Sequence, residues 1–441
     1  MNASIEWLVT EGFQFLEEEQ SSFGTTATAD SDSQVSGSVP PYSFARGRPK
    51  LSESQNALLA EQARLRARSG KRFPTPSQWL WTSRSLAQAS DWYCATFKAS
   101  LFPKDKLTHD ICCGAGADLI ALAGRGPVLG IEKDRDLATL ARFNLKTHGL
   151  AGEVHCQDAI AMQLDGTRVC WLHIDPDRGG PEAKTTRADQ FSPSLEQVLA
   201  LSQNYEGSLI KIAPSTQFEP EVLDDLDRAS AEAVRRIWIG NGGECKQQVL
   251  CLGNAARELP EHLSELAATA SRSQAQKEFA RFAVLAEPMS NDKFQTCVQS
   301  FGGEPDLPFA DSSDEVLEYV CDLNNVLHAA ELCQSFAKEH ALQSVSGTHG
   351  YYTGGEPVYS PWCQCFRVLE TVSWDDRKLR KLLRRYEPGT VEVKNRLFRM
   401  DANVMQRRYS GNGARRLTLL VTRIGQRIRA ILAERCPSQS T

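Results

Sequence analysis

The residues best placed to do chemistry lie in His109-Asp-Ile-Cys-Cys-Gly-Ala-Gly-Ala-Asp118, where a short apolar run ends and a helical pattern opens. Glycines at such a turn let the backbone approach a ligand closely, and a helix start supplies unpaired N–H groups and a positive dipole. A second apolar run ends in Gly130-Ile-Glu132, where an acidic side chain can accept both hydrogen bonds of a ribose diol. The third leads to Gln157-Asp158, and the fourth ends in Asp175-Pro-Asp-Arg-Gly-Gly180. A fifth carries Lys211, placed to steer a substrate. Polar or glycine residues at the carboxyl edge of four successive runs point to a ligand crevice more strongly than any one of them does.

The elements that must position these residues are legible in the hydrophobic rhythm. Apolar runs at 107–112, 128–132, 154–157, 169–175 and 208–212 alternate with helix-period segments, the pattern of βαβ units and a parallel sheet. Further strands are expected at 235–240, 247–252 and 281–286. Upstream, helices are expected over 4–18, 54–68 and 77–99; Trp79, Trp81 and Trp92 of the last read as packing. Ser21 to Pro41 is nearly free of large apolar residues and reads as a flexible stretch.

Charge is unevenly placed. Phe366 to Thr441 carries 18 Lys and Arg against 7 Asp and Glu, a net of +11, so the other 365 residues hold −16 of the total −5. A smaller basic stretch, Phe44 to Arg72, has 8 basic and 2 acidic residues. Basic ends on an acidic body suggest a polyanion partner. Arg384-Arg385, Arg407-Arg408 and Arg415-Arg416, with Tyr386 and Tyr409 among them, suit phosphates and stacked bases of structured RNA. In 441 residues, 41% hydrophobic and 24% charged, no apolar run approaches the ~18 residues of a membrane span. The opening Met-Asn-Ala-Ser-Ile-Glu-Trp lacks a basic segment followed by an apolar one, so no secretory leader is expected. Thirteen cysteines without a Cys-x-x-Cys pair argue for a reducing, cytoplasmic setting and against a zinc ribbon. Cys363-Gln-Cys365 is too closely spaced for the usual zinc loops, so no metal site is expected. Cys112 and Cys113 read as buried small hydrophobes.

The glycine turn, Glu132, Asp158 and Asp175-Pro176 together resemble the class I methyltransferases that use S-adenosylmethionine, over roughly 104–255. The resemblance implies a Rossmann-like core in which Asp110, Cys112, Gly114 and Gly116 form the methionine-end loop, with Cys112 where many relatives have glycine. Glu132 would hold the ribose and Asp158 the adenine amine. Asp175 would accept hydrogen bonds from the nucleophile, and Arg178 would position the target. The fourth-strand motif is similar to the Asp/Asn-Pro-Pro-aromatic of nucleic-acid amino-methyltransferases, but Asp177 and Arg178 replace the second proline and the aromatic. Asp-Pro-x-Arg also resembles enzymes forming 5-methyluridine; Lys211-Ile-Ala-Pro-Ser-Thr216 lacks the cysteine that covalent route needs.

Arg64 to Phe73, Asp110 to Gly116, Ile174 to Pro181, Lys211 to Pro214, Val391 to Arg396 and Gly413 to Arg423 resemble a bacterial methyltransferase family ending in a THUMP-like domain. The core is also similar to trimethylguanosine synthase, whose motif likewise ends in Gly-Gly-Pro. THUMP domains of relatives bind RNA, commonly transfer RNA, so the resemblance implies an RNA substrate. The expected organisation is a flexible tail (1–45), a helical region (46–103), an α/β methyltransferase core (104–290), a connecting region (291–365) and a basic α+β THUMP-like domain (366–437). The expected activity is methylation of a base in structured RNA with S-adenosylmethionine as cofactor. A catalytically silent RNA-binding protein of the same fold, or a methyltransferase acting on a small molecule or protein, are the alternatives.

Overall fold

The computed structural model describes residues 3–23, 51–161, 170–177, 191–216, 218, 234–270, 281–303, 305, 312–345, 350–397 and 401–437. Two units are distinguished: Met1–Arg236 with Gln247–Ser264 and Ala286–Val298, and Ile237–Lys246 with Glu265–Leu285 and Gln299–Thr441.

In the first unit the five apolar runs become strands close to their expected bounds. They are β1 (Thr108–Ile111), β2 (Val128–Glu132), β3 (Glu153–Cys156), β4 (Trp171–Ile174) and β5 (Gly207–Ile212). All are parallel, in the order β3-β2-β1-β4-β5; Thr108 of β1 lies beside Val128 on one side and Trp171 on the other. β1, β4 and β5 are buried throughout, which is why they read as unbroken apolar runs. Chain order reverses between β1 and β4, so their carboxyl ends flank the crevice where such sheets bind ligands. Four more strands follow: β6 (Arg235–Asn241), β7 (Glu244–Gly253), β8 (Arg281–Met289) and β9 (Asp292–Gly303). The Gln248–Gly253 part of β7 pairs antiparallel with β5.

The helices of this unit are α1 (Ala3–Trp7), α2 (Phe13–Phe23), α3 (Glu53–Ser69), α4 (Ser83–Gln88), α5 (Trp92–Ser100), α6 (Ala117–Ala123), α7 (Arg135–Thr147) and α8 (Leu195–Ser202). The single helix expected over 77–99 is broken. Thr82 forms a capping box with Ser85 and Asp91 caps the Cys94 amide, so each restarts the helix. The flexible tail expected over 1–45 needs correction for its described part. A π-helical turn, Leu8–Gly12, joins α1 to α2; Ile5, Leu8 and Leu16 are buried, and Phe13 packs edge-on to Phe143 of α7 at 4.8 Å. This is the amphipathic helix expected over 4–18, docked rather than loose. Positions 24–50 lie outside the described residues.

α9 (Asn254–Arg257) also belongs to the first unit and α10 (Glu261–Ala270) begins there; the second unit holds α11 (Asn325–Ala329), α12 (Cys333–Glu339), α13 (Asp376–Tyr386) and α14 (Ala402–Tyr409). Its strands are β10 (Ser312–Ser313), β11 (Tyr319–Leu323), β12 (Gln343–Val345), β13 (Tyr352–Gly354), β14 (Cys363–Ser373), β15 (Pro388–Asn395), β16 (Arg415–Ile424) and β17 (Arg427–Arg435). They form one sheet, β10-β12-β13-β11-β14-β17-β16-β15. Residues 291–365 are therefore no connector to the basic segment. Positions 292–303 are β9, while 312–365 supply β10 to β13 and the first residues of β14, whose sheet the basic segment completes. In α13, Leu379, Leu382 and Leu383 pack on Val391, Leu417, Leu419 and Leu432. That leaves Arg377, Arg380, Lys381, Arg384 and Arg385 exposed.

Among the described residues no helix is long and apolar enough to cross a membrane.

Candidate active site

The turn after β1 owes its shape to three residues with left-handed backbone: Cys112 (φ 58°), Gly114 (φ 56°) and Gly116 (φ 90°). A side chain at such a φ is strained, so Cys112 carries a conformation that glycine adopts freely. A Cβ on Gly114 would meet nothing within 4 Å, so an open cradle lies over its backbone. Gly116 caps α6 and lies against Ala141 of α7. Glu132 ties the turn to the end of β2: its Oε2 accepts the Gly114 amide at 2.9 Å and its Oε1 the Asp134 amide at 2.9 Å. A carboxylate has about four acceptor sites, so both oxygens keep capacity for a diol. Burial raises the Glu132 carboxyl above its ordinary value, against the pull of these two amides.

Beyond the turn is a cavity of about 270 Å³ lined by Cys112, Ile131, Lys133, Gln157, Asp158 and Ile160, and closed by Ser192, Pro193 and Gln197. Asp158 Oδ1 accepts the Ile160 amide at 3.0 Å, which fixes the carboxylate at the wall. Burial pushes the Cys112 thiol far up, so it stays a neutral group and no nucleophile.

Asp110 points elsewhere. It is fully buried, its Oδ1 bonded to His173 Nδ1 at 2.6 Å, while Oδ2 has no hydrogen-bond partner among the described residues. Behind it Lys98 Nζ of α5 reaches Asp118 Oδ1 at 2.7 Å, Ser90 Oγ at 3.0 Å and His173 Nε2 at 3.3 Å. Asn144 of α7 adds a second tie: its amide nitrogen donates to the carbonyls of Leu80 and Ala115, at 3.0 and 2.9 Å. The helical region thus holds the glycine turn from beneath. Sequence reasoning missed Lys98 and Asn144, since a charge or amide inside a helical pattern carries no mark of a partner far along the chain.

At the end of β4, Asp175 Oδ2 pairs with Lys211 Nζ at 2.5 Å. Lys211 is 6% exposed, so it is a buried partner of Asp175 rather than an open surface lysine. Asp177 exchanges two backbone hydrogen bonds with Ser192, both 2.9 Å, and its carboxylate takes Arg84 at 2.7 Å and Gln88 at 3.3 Å, both from α4. The aspartate that replaces the motif's second proline therefore anchors a strand end to the helical region. Arg178 lies outside the described residues. Trp79 and Trp81 stack at 4.8 Å and are fully buried, as packing residues.

The six arginines singled out by sequence divide. All are exposed, but Arg385 pairs with Glu370 (2.6 Å), Arg408 with Asp376 (2.8 Å) and Arg415 with Glu434 (2.5 Å). Arg384, Arg407 and Arg416 have no ion-pair partner among the described residues.

A parallel sheet of this order, with a glycine turn after β1 and acidic residues ending β2 to β4, is the fold of class I S-adenosylmethionine-dependent methyltransferases, here with a C-terminal THUMP-like domain. Residues 363–435 match the family described as THUMP domain-like. The chain is 24% identical over 352 residues to a Mycobacterium tuberculosis protein named as an uncharacterised S-adenosylmethionine-dependent methyltransferase, covering 79% of this chain and 86% of the relative. The crystal structure of a candidate methyltransferase from Porphyromonas gingivalis superposes with a TM-score of 0.63 at 16% identity, covering 89% of this chain and 93% of that one.

Proposed function

We propose that this chain transfers a methyl group from S-adenosylmethionine to a base in structured RNA. The observation that carries the transfer is Asp175, held by Lys211 at the carboxyl end of β4, beside the glycine turn and its cavity. The residues fit the cofactor. The cradle over Gly114 is open, Glu132 keeps acceptor capacity at the end of β2, and Asp158 lines the cavity, as the ribose and the adenine amine would require; Asp110, turned toward His173, is not counted among them. When bound, S-adenosylmethionine supplies an electrophilic methyl group on sulfur.

The chain's own task is orientation, which brings most of the rate when the electrophile is already activated. Lys211 occupies Oδ2 of Asp175, so Oδ1 is left to accept a hydrogen bond from the nucleophile and to fix its direction. Gly114, Gly116, Glu132 and Asp158 hold the donor. Arg178 is assigned the target nucleotide by its place in the motif.

Gly114→Val is expected to separate cofactor binding from folding. The left-handed backbone costs a branched residue about 1–2 kcal/mol, while the side chain fills the cradle. Calorimetric titration should show S-adenosylmethionine affinity falling at least about tenfold, which is about 1.4 kcal/mol. An unchanged affinity would remove the turn from the binding site.

Support for RNA is the THUMP-like match together with exposed arginines that the fold does not use. Deleting 366–441 is a poor test, because it removes β15 to β17 and most of β14 from an eight-stranded sheet. Substituting Arg384, Arg407 and Arg416 by Gln leaves the described ion pairs intact. This variant is expected to bind RNA more weakly, with the slope of log affinity on log salt shallower by about 0.7–0.9 for each phosphate no longer neutralised. The deciding experiment is transfer of labelled methyl from S-adenosylmethionine into total RNA by the full chain. Label in RNA that falls in the triple variant supports the reading; cofactor binding with no label in RNA rejects it.

A further inference from the structure

Six of the thirteen cysteines gather in one hydrophobic cluster of the second unit: Cys321, Cys333 and Cys365 inside it, Cys245, Cys363 and Cys436 against it. Spacing along the chain gives Cys363-Gln-Cys365 no partners, but strand register does. β11 and β14 are antiparallel with Cys321 opposite Cys365. β14 and β17 are antiparallel with Phe366 opposite Arg435, and one step further the Cys436 amide donates to the Cys365 carbonyl at 3.0 Å. Cys321, Cys365 and Cys436 therefore form a row across three neighbouring strands. Residues directly opposite share a face of the sheet. Their Cα atoms lie about 4.5–5.5 Å apart in antiparallel pairs, within the span a disulfide bridges.

Register and packing bring these thiols near one another, Cys365 between Cys321 and Cys436, with Cys363 against the same cluster. The neighbouring Cys363 and Cys365 thiols hold the Cys321 thiol high, and burial does the same for Cys436. The neighbouring Cys321 thiol brings Cys365 below the ordinary thiol value. Cys321 and Cys365 are buried, whereas Cys363 and Cys436 are half-buried, so the row opens toward solvent at its Cys436 end. Among the described residues no group of three or more Cys, His, Asp or Glu side chains has the geometry of a metal site. A low-lying thiol flanked by further thiols is the arrangement of a redox-responsive cysteine with resolving partners.

We propose that this row is a thiol–disulfide site in which Cys365 reacts with a peroxide and forms a disulfide with an in-register neighbour, Cys436. The Cys365 thiolate attacks a peroxide oxygen and the O–O bond breaks. The departing oxygen leaves as hydroxide and takes up the proton the thiol gave, forming water, and Cys365 becomes a sulfenic acid. The Cys436 sulfur then attacks the Cys365 sulfur; the S–S bond forms, the S–O bond breaks, and hydroxide leaves with the Cys436 proton as a second water. Two electrons pass from the two sulfurs to the peroxide. The link would join the first strand of the THUMP-like match to the residue just past its last strand, stapling its two ends, and would be reversible by thiols.

The test uses the full chain, reduced, freed of reductant and treated with a small excess of hydrogen peroxide, with peptide mapping by mass spectrometry. The expected result is a linked pair containing Cys365 and Cys436, two hydrogens lighter, released by dithiothreitol. It should form before the exposed Cys156 and Cys297 are consumed. In Cys436→Ser the link is expected to move to Cys321, or Cys365 to be trapped by dimedone as its sulfenic acid. Cys365→Ser should form no link in the row. Because Cys365 is buried and its variant could fail to fold, Cys436→Ser at a half-buried position carries the test independently. The proposal is overturned if Cys365 stays reduced while Cys156 and Cys297 oxidise, if it is oxidised without cross-linking, or if the purified chain carries a stoichiometric metal that protects these thiols.

Discussion

Replacing Lys98 by Met is expected to lower folding stability by about 3–5 kcal/mol, the usual consequence of removing one partner from a buried ion pair. Lys98 is 1% exposed and Asp118 9%, with 2.7 Å between ammonium and carboxylate. Without the ammonium, Asp118, Ser90 and His173 lose a shared donor, and a carboxylate is left in the interior beneath the glycine turn. Urea unfolding would measure the loss, and a change under about 1 kcal/mol would mean that the pair is no stronger than an exposed one. Lys98→Met combined with Asp118→Leu should recover much of it, since an apolar pair of similar volume often matches a buried ionic one. The pH dependence has a definite sign. Burial alone would push Asp118 up, but Lys98, then His173 and Lys211, outweigh it and hold the carboxyl well below its ordinary value. Its contribution is thus full above the unfolded value of about 3.9 and is lost as pH falls through the folded one. Asp110 runs the other way: burial outweighs His173 and raises it, so its contribution is full in acid and lost as pH rises through its folded value. The difference between wild type and Lys98→Met reports chiefly Asp118, with a smaller part from Asp110, which Lys98 also pulls down, and it should be largest near neutrality and shrink in acid.

The network that makes this expectation large was invisible along the chain, and the reason is general. β1, β4 and β5 could be read because a strand buried on both faces is one continuous apolar run, a local property. The turn after β1 was legible because glycine reports backbone geometry by itself. Lys98 looks like any charged helical residue until the sheet brings His173 and Asp118 to it. The same holds for Lys211, which sequence places after β5 with no sign that it is buried against Asp175. Register hid the cysteine row: three positions as distant as Cys321 and Cys436 become neighbours only when β14 lies between β11 and β17. Segmentation failed for a related reason. Residues 312–365 look irregular because their strands are mostly short and scattered, yet they share a sheet with the basic segment. Composition placed a boundary at 366 where charge changes, and charge marks a surface, not the limits of a core. The same surface reading grouped six arginines that the fold divides into three pinned and three available.

Asp175→Ala is expected to lower methyl transfer by about 10²–10⁴-fold at saturating donor, the range for a positioned group that accepts a proton or hydrogen bond from the reacting atom. Binding of S-adenosylmethionine should change little, because Asp175 is absent from the cavity wall formed by Cys112, Gln157 and Asp158. A residue that only stabilised the fold would move both quantities together with the unfolding midpoint. Lys211→Met tests how the carboxylate is held. In the proposed reaction the ammonium takes Oδ2 and leaves Oδ1 for the nucleophile, so its removal is expected to free the carboxylate to rotate and to reduce kcat more than it raises KM. Residues that act as one unit are not additive, so Lys211→Met in the Asp175→Ala background should cost little more than Asp175→Ala alone. Full additivity of the two substitutions would mean that Lys211 serves the substrate directly, as its position after β5 first suggests. Retention of wild-type transfer by Asp175→Ala would instead remove the β4 end from the chemistry.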